Sequence, residues 1–180
     1  MDRIEATIRR HAVRSFTNKK IDLHTVAALQ AEIAACNAES GLHIQLFTEE
    51  PDAFGNLLAH YGKFRQVRNY LALIGKKSSD LHEKVGYYGE RLVLTATMLG
   101  LDSCWVALTF SKGKSKGNIE HGEKRVCVIA LGYGETHGVP HKSKPLESLC
   151  KTTGPMPCLL YTSPPLSYRS LYIKPRNSSL

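Results

Sequence analysis

The 180-residue sequence lacks an apolar run long enough to cross a membrane, which needs about 20 consecutive apolar residues. Its first residues, MDRIEATIRRH, carry charge from residue 2 and lack the apolar core of a secretory signal. Its five cysteines form neither an even-numbered disulfide framework nor the paired spacing of a zinc site. We therefore expect reduced thiols, a cytoplasmic location and no membrane partner.

Acidic residues are missing from the last thirty positions, 151–180, which contain five of the eight prolines and four basic residues. This composition is typical of a disordered extension. A second interpretation is that CLLYTS, residues 158–163, translates TGT CTC TTA TAC ACA TCT, the end of a transposon adapter used in sequencing libraries. We predict one domain over residues 1–157 and a disordered or artefactual tail over 158–180.

The net charge of +8 raises the question of an anionic partner. Half of this excess lies in the tail, and residues 1–150 carry 20 basic against 16 acidic residues. The basic residues do not alternate with aromatic ones, and no nucleic-acid-binding module is recognisable. We therefore expect no nucleic-acid partner, and a basic nucleic-acid-binding module is kept as an alternative.

Hydrophobic periodicity predicts an α+β domain in the order α-α-β-α-β-α-β-β, with a mixed sheet covered by helices. In the second helix Asp22 is the expected N-cap and Gly41 the expected stop. Two glycines within the longest helix, Gly86 and Gly89, indicate close approach of another helix or of a ligand. The predicted helices cover 2–12, 21–41, 49–62 and 80–101, and the predicted strands cover 42–47, 69–75, 104–110 and 125–134.

The motif RRHAVRSF, residues 9–16, concentrates positive charge at the end of the first predicted helix. Like charges four apart on a helix destabilise it by a few tenths of a kcal/mol, about 0.2–0.5. Two interpretations stay open from these residues alone. The cations complement the helix dipole, or Arg10 and Arg14 bind an anion such as a phosphate.

Other motifs are weaker. GYGETHG follows a predicted strand, but the proline-broken segment after it lacks the helix that a dinucleotide site needs. GKS at 113–115 lacks the upstream glycine of a phosphate loop. His137 and His141 do not share a helix face because Pro140 lies between them, so no zinc site is expected.

Four segments in order resemble the FMN-dependent nitroreductase family, in particular a short branch of it. They are RRHAVRSFTNKKI, HYGKFRQVRNYLALIGKK, EKVGYYGERLVLTATMLGLDSCWVALTFSK and VIALGYGETHGVPHKSKPLE, and they span most of residues 3–150. The resemblance implies an α/β/α sandwich with a mixed central sheet, an intertwined homodimer and FMN bound at the dimer interface. The branch usually continues beyond GPMP with segments that this chain does not have, so the chain resembles a C-terminally truncated member.

The resemblance also implies which residues bind FMN. Arg10, His11 and Arg14 would form the phosphate site, with Ala12 where relatives often have Ser. Lys63 would lie near the flavin ring, with Arg65 as the alternative. The remaining implied contacts come from Asn69, Trp105, Val106 and Ala107.

The implied reaction passes hydride from NAD(P)H through FMN to an electron-poor acceptor such as a nitroaromatic or a quinone. No protein nucleophile and no metal are needed for this chemistry. A flavin-binding protein without turnover is the second alternative to this function.

Overall fold

The computed structural model describes residues 1–54, 63–107, 117–140, 144, 145 and 148. The chain divides into one unit over 1–139 and a second over 140–180. In the second unit the Ser148 amide donates to the Pro145 carbonyl at 3.0 Å. The predicted tail, 158–180, lies outside the described residues.

Helix α1 spans Arg3–Arg9 and is shorter than predicted. Asp2 caps its start, because the Asp2 side chain accepts a hydrogen bond from the Glu5 amide at 2.7 Å. Arg10 already has an extended conformation, with φ −65° and ψ 120°. The prediction that Arg10 and Arg14 repel each other on one helix is therefore wrong, because neither residue is helical.

Helix α2 spans Leu23–Ser40, with both predicted caps confirmed. The Asp22 side chain accepts from the Thr25 amide at 2.9 Å. Gly41 ends the helix in the left-handed conformation, at φ 70°, which glycine adopts without a Cβ penalty. Helix α3 spans Leu81–Met98 and buries Val85, Leu92 and Ala96, which lie on one face.

The described strands are β1, Gln45–Phe47; β2, Asn69–Lys76; β3, Asp102–Val106; and β4, Glu123–Gly132. They form one sheet in the order β1-β2-β4-β3, and every pair of neighbours is antiparallel. The predicted mixed sheet is therefore corrected: among the described residues, parallel pairing is confined to two isolated bridges, Ala12–Ser103 and Ser15–Arg65.

Element types follow the prediction, but several bounds differ. Of the third predicted helix, 49–62, the described part contains a 3-10 turn over Pro51–Phe54, and residues 55–62 lie outside the described part. Strand β3 begins two residues earlier than predicted, and residues 108–110 are also outside that part. Of the chain described, no helix is both long and apolar enough to span a membrane.

Two apolar clusters lie on opposite faces of the sheet because side chains alternate along each strand. Helices α2 and α3 cover one face, packing Leu29 and Leu92 against Leu73 and Ile129. The other face is covered by Phe16 from the segment after α1, Phe54 from the 3-10 turn after β1, and Phe64 from the segment before β2. Cys36, Cys104 and Cys127 are buried free thiols.

Candidate cofactor site

The segment after α1 connects two parts of the predicted site. Ala12 forms a parallel bridge with Ser103 of β3, and the Val13 amide donates to the Ser103 carbonyl at 3.0 Å. Two residues later the Arg65 amide donates to the Arg14 carbonyl at 2.9 Å. The structure therefore brings residues 10–16 beside both β3 and residues 63–65, although these segments are far apart in sequence.

Arg14 lies against the apolar cluster that contains Phe64. Its guanidinium carbon is 5.8 Å from the centroid of the Phe64 ring, within the range of a cation–π contact. Burial raises the pKa of the Cys104 thiol, and a hydrogen bond from Arg14 and the positive charges of Arg14 and Arg10 oppose that rise. The charges of both arginines therefore act on the pKa of the same buried thiol.

Arg10 has an acidic partner. Its Nε is 3.4 Å from Oε1 of Glu90 on α3. The other Glu90 oxygen accepts a hydrogen bond from the indole Nε1 of Trp105 at 3.0 Å. Arg10 and Trp105, two predicted cofactor contacts, are therefore joined through one carboxylate.

A cavity of about 480 Å³ lies next to the segment after α1, and its volume is within the usual size range of ligand pockets. Its described lining consists of Ser15, Lys63, Phe64 and Arg65. Lys63 has a left-handed backbone, with φ 57°, which is uncommon for a residue other than glycine and occurs preferentially at functional sites. Within the described residues, no carboxylate lies at ion-pair distance from Arg14, Lys63 or Arg65.

His11 and Ala12 lie at the start of the same segment. His11 is half-buried beside Gly138, where an added Cβ would come within 2.7 Å of the His11 Cβ. Gly138 has φ 78° and lets the chain after β4 pass this closely. Ala12 is exposed, and its backbone pairs with β3.

Asn69 and Val106 are used by the fold. The Asn69 side chain is 5% exposed, accepts from the Glu49 amide at 3.2 Å and donates to the Leu131 carbonyl at 3.4 Å. Val106 is buried in the second apolar cluster. Their side chains are therefore directed into the fold, and the cofactor contacts of Asn69 and Val106 stay predictions. Ala107, at the end of β3, is exposed.

Sequence reasoning missed Glu90, Ser15 and Phe64. Glu90 meets Arg10 across 80 positions, so no local spacing indicates the pair. Ser15 belongs to the RRHAVRSF motif and Phe64 lies between Lys63 and Arg65, so the sequence contains a local signal for both cavity residues.

Comparison with solved structures shows the fold. A "putative NADH dehydrogenase/NAD(P)H nitroreductase" from Bacteroides thetaiotaomicron is 17% identical, with a TM-score of 0.63 over 83% of this chain and 96% of that one. A "putative nitroreductase in complex with FMN" from Desulfovibrio desulfuricans is 17% identical, with a TM-score of 0.63 over 87% and 99%. A "putative NADH oxidase" from Clostridium acetobutylicum is 14% identical, with a TM-score of 0.60 over 83% and 99%.

These similarities define an α+β protein with the nitroreductase fold. The family model described as "Putative TM nitroreductase" matches residues 2–158. The chain belongs to this nitroreductase family, which supports an oxidoreductase. No protein with curated annotation matches it.

Proposed function

We propose that the chain is an FMN-dependent oxidoreductase that passes hydride from NAD(P)H through FMN to an electron-poor acceptor such as a nitroaromatic or a quinone. The observation that carries the proposal is a cavity of about 480 Å³ lined by Lys63 and Arg65, with the Arg14 guanidinium 5.8 Å from the ring centroid of Phe64, which also lines it. Family membership and the FMN-bound structure with the same fold support the same cofactor.

The residues present fit a flavin mononucleotide. Its phosphate needs cationic hydrogen-bond donors, which Arg10 and Arg14 offer from the segment after α1. Its ring needs a flat apolar wall, which Phe64 offers at the same cavity. When bound, FMN would supply the hydride-accepting and electron-donating chemistry.

The chain's own contribution is position and charge. Arg14 would bind the phosphate, and its contact with the Phe64 ring restricts the guanidinium before any ligand arrives. Lys63 would place positive charge beside the ring and stabilise negative charge there on reduction. The apolar cluster under the cavity, which includes Phe54 and Phe64, excludes water from that side.

Titration of FMN into the purified chain, followed by quenching of flavin fluorescence, tests binding. Each charged hydrogen bond contributes about 1.5–3 kcal/mol, so Arg14→Ala is expected to raise the Kd by about 10- to 150-fold. Arg9→Ala is the matched control, because Arg9 is an exposed arginine paired with Glu5 on α1. Equal affinity of Arg14→Ala and wild type would reject the phosphate assignment.

Turnover separates the two flavin-binding functions. Anaerobic addition of NADH or NADPH to the FMN-loaded chain is expected to bleach the flavin absorbance, and a quinone is expected to restore it. FMN binding without bleaching would instead support a non-catalytic flavin-binding protein. The nucleic-acid alternative predicts binding to DNA or RNA that falls steeply as salt rises.

We also propose a homodimer, a domain over residues 1–157 and a cytoplasmic location. Light scattering of the eluted protein tests the dimer through its mass. Limited proteolysis tests the domain, which should survive as a fragment ending near residue 157.

A further inference from the structure

Glu90 is the acidic partner of Arg10, a residue predicted to bind the phosphate. Its carboxylate is shared between the Arg10 guanidinium, 3.4 Å from Oε1, and the Trp105 indole, 3.0 Å from Oε2. A carboxylate on an arginine occupies the place that a phosphate oxygen would take, because both are anionic acceptors for the same N–H groups.

The Arg10–Glu90 pair is weak enough to be exchanged. The Arg10 side chain is 30% exposed and the Glu90 side chain 42% exposed. Ion pairs with this access to water are worth little, because solvent screens the charges. A phosphate dianion carries more charge than a carboxylate and could therefore displace it.

Trp105 reports on the same carboxylate. Its ring packs on the α3 backbone at Gly89, where a Cβ would overlap the ring. The indole is thereby fixed beside Glu90, and its N–H donates to the oxygen that Arg10 does not use. Because the chain contains one tryptophan, its intrinsic emission comes from this position alone.

We propose that Glu90 is a positioning residue of the phosphate site: it holds Arg10 in the ligand-free chain, releases it to an incoming phosphate and couples this exchange to Trp105. The inference rests on the proposed function in that it takes Arg10 as a phosphate ligand. Glu90 thus lowers the affinity for the anion while keeping Arg10 oriented towards the site.

The first experiment compares FMN affinity in Glu90→Gln and Glu83→Gln. Glutamine at 90 keeps an acceptor for the Trp105 indole but removes the charge that holds Arg10. Glu83 lies in the first turn of the same helix and provides the matched loss of one negative charge. We expect Glu90→Gln to lower the Kd by about two- to five-fold, the range of a partly exposed ion pair, and Glu83→Gln to change it by less.

A double variant tests whether the effect passes through Arg10. In an Arg10→Ala background, Glu90→Gln should no longer tighten FMN binding, because the residue that it releases is gone. Tightening that persists without Arg10, or an effect of Glu90→Gln no larger than that of Glu83→Gln, overturns the inference.

The second measurement does not need FMN. Inorganic phosphate is titrated while Trp105 emission is recorded, against sodium chloride at equal ionic strength. We expect phosphate to shift the emission in wild type and not in Arg10→Ala. A shift with phosphate but no FMN binding rejects the proposed function and keeps the inference, whereas no shift overturns the inference whatever FMN does.

Discussion

Arg14 and Arg65 are joined through their backbones, with the Arg65 amide donating to the Arg14 carbonyl at 2.9 Å. Two cationic residues are thereby kept on adjacent segments, beside Lys63 and one cavity. Neighbouring like charges are unfavourable unless something anionic lies between them. We therefore expect an electrostatic cost at this position that a bound anion would remove.

Arg65→Gln tests this cost. We expect the free energy of unfolding of the ligand-free chain to rise by about 0.2–0.5 kcal/mol, because one like charge is removed. FMN affinity should fall in the same variant. Chemical denaturation and fluorescence titration measure the two quantities.

Arg68→Gln is the control for Arg65→Gln, since Arg68 pairs with Glu49 at 3.6 Å and its loss should not stabilise the chain. A variant at Arg65 that is less stable yet binds FMN as wild type does would contradict the assignment of this cluster.

Gly89→Ala tests the packing of Trp105 on α3. The added Cβ would overlap the Trp105 ring and lie 3.0 Å from Leu73 Cδ1. Overpacking of this kind costs about 1–3 kcal/mol, and Trp105 emission should change because the ring must move. Denaturation followed by fluorescence measures both effects.

Gly86→Ala is the control for Gly89→Ala, because a Cβ at Gly86 meets nothing within 4 Å. It should raise the free energy of unfolding by about 0.4–1 kcal/mol, since alanine favours the helix and restricts the unfolded chain. The same sign of effect at both glycines would argue against a specific contact at Gly89.

The Asp22 cap predicts a pH dependence. The amide and hydroxyl of Thr25 donate to this carboxylate and lower its pKa from 3.8 to about 2. A carboxyl whose pKa is lower in the folded state stabilises the fold above the unfolded value. The stability that it provides is therefore lost as the pH falls from about 4 towards 2.

Between pH 4 and pH 2, Asp22→Ala should lack the loss of folding stability that protonation of Asp22 causes in wild type. At pH 7 its free energy of unfolding should be lower than that of wild type. Asp2→Ala, at the cap of α1, is the control with the same type of substitution. If Asp22→Ala and wild type lose stability in parallel over this range, another carboxyl is responsible.

His43 supports a buried carboxylate away from the site. Its Nδ1 lies 3.0 Å from Glu123 Oε2, and Glu123 has a 6% exposed side chain. His43→Ala leaves that acceptor with one partner fewer, so we expect a loss of about 1–3 kcal/mol at neutral pH. Chemical denaturation measures it, and the exposed His82 supplies the control substitution. An equal effect of both would exclude a special role for the pair.

Local chemistry made much of the fold predictable from the sequence. Asp22 and Gly41 mark the ends of α2 because capping depends on a few adjacent residues. The end of α1 was not predictable in this way. The residues directly after Arg9 include no glycine or proline, and the helix stops where Ala12 and Val13 pair with Ser103, about 90 positions away.

The site was predictable as a set of segments but not as an arrangement. The motif around Arg10 and Arg14 indicates an anion site, and residues 63–65 contribute to the same cavity as Ser15. The partner of Arg10 depends on the packing of α3 against β3, which no local pattern encodes. The sequence also does not show that the Asn69 side chain bonds to the Glu49 amide and the Leu131 carbonyl.

The bridge between Ala12 and Ser103 has a consequence for self-association. Strand β3 is the last in the order β1-β2-β4-β3, and an unpaired strand at that position can recruit the strand of another molecule. The segment after α1 covers part of this edge, and charged Arg10 and Arg14 flank the bridge. The segment after α1, which carries these arginines, therefore also limits pairing of the β3 edge with another molecule. A substitution that detaches this segment from β3 would lower solubility together with ligand affinity.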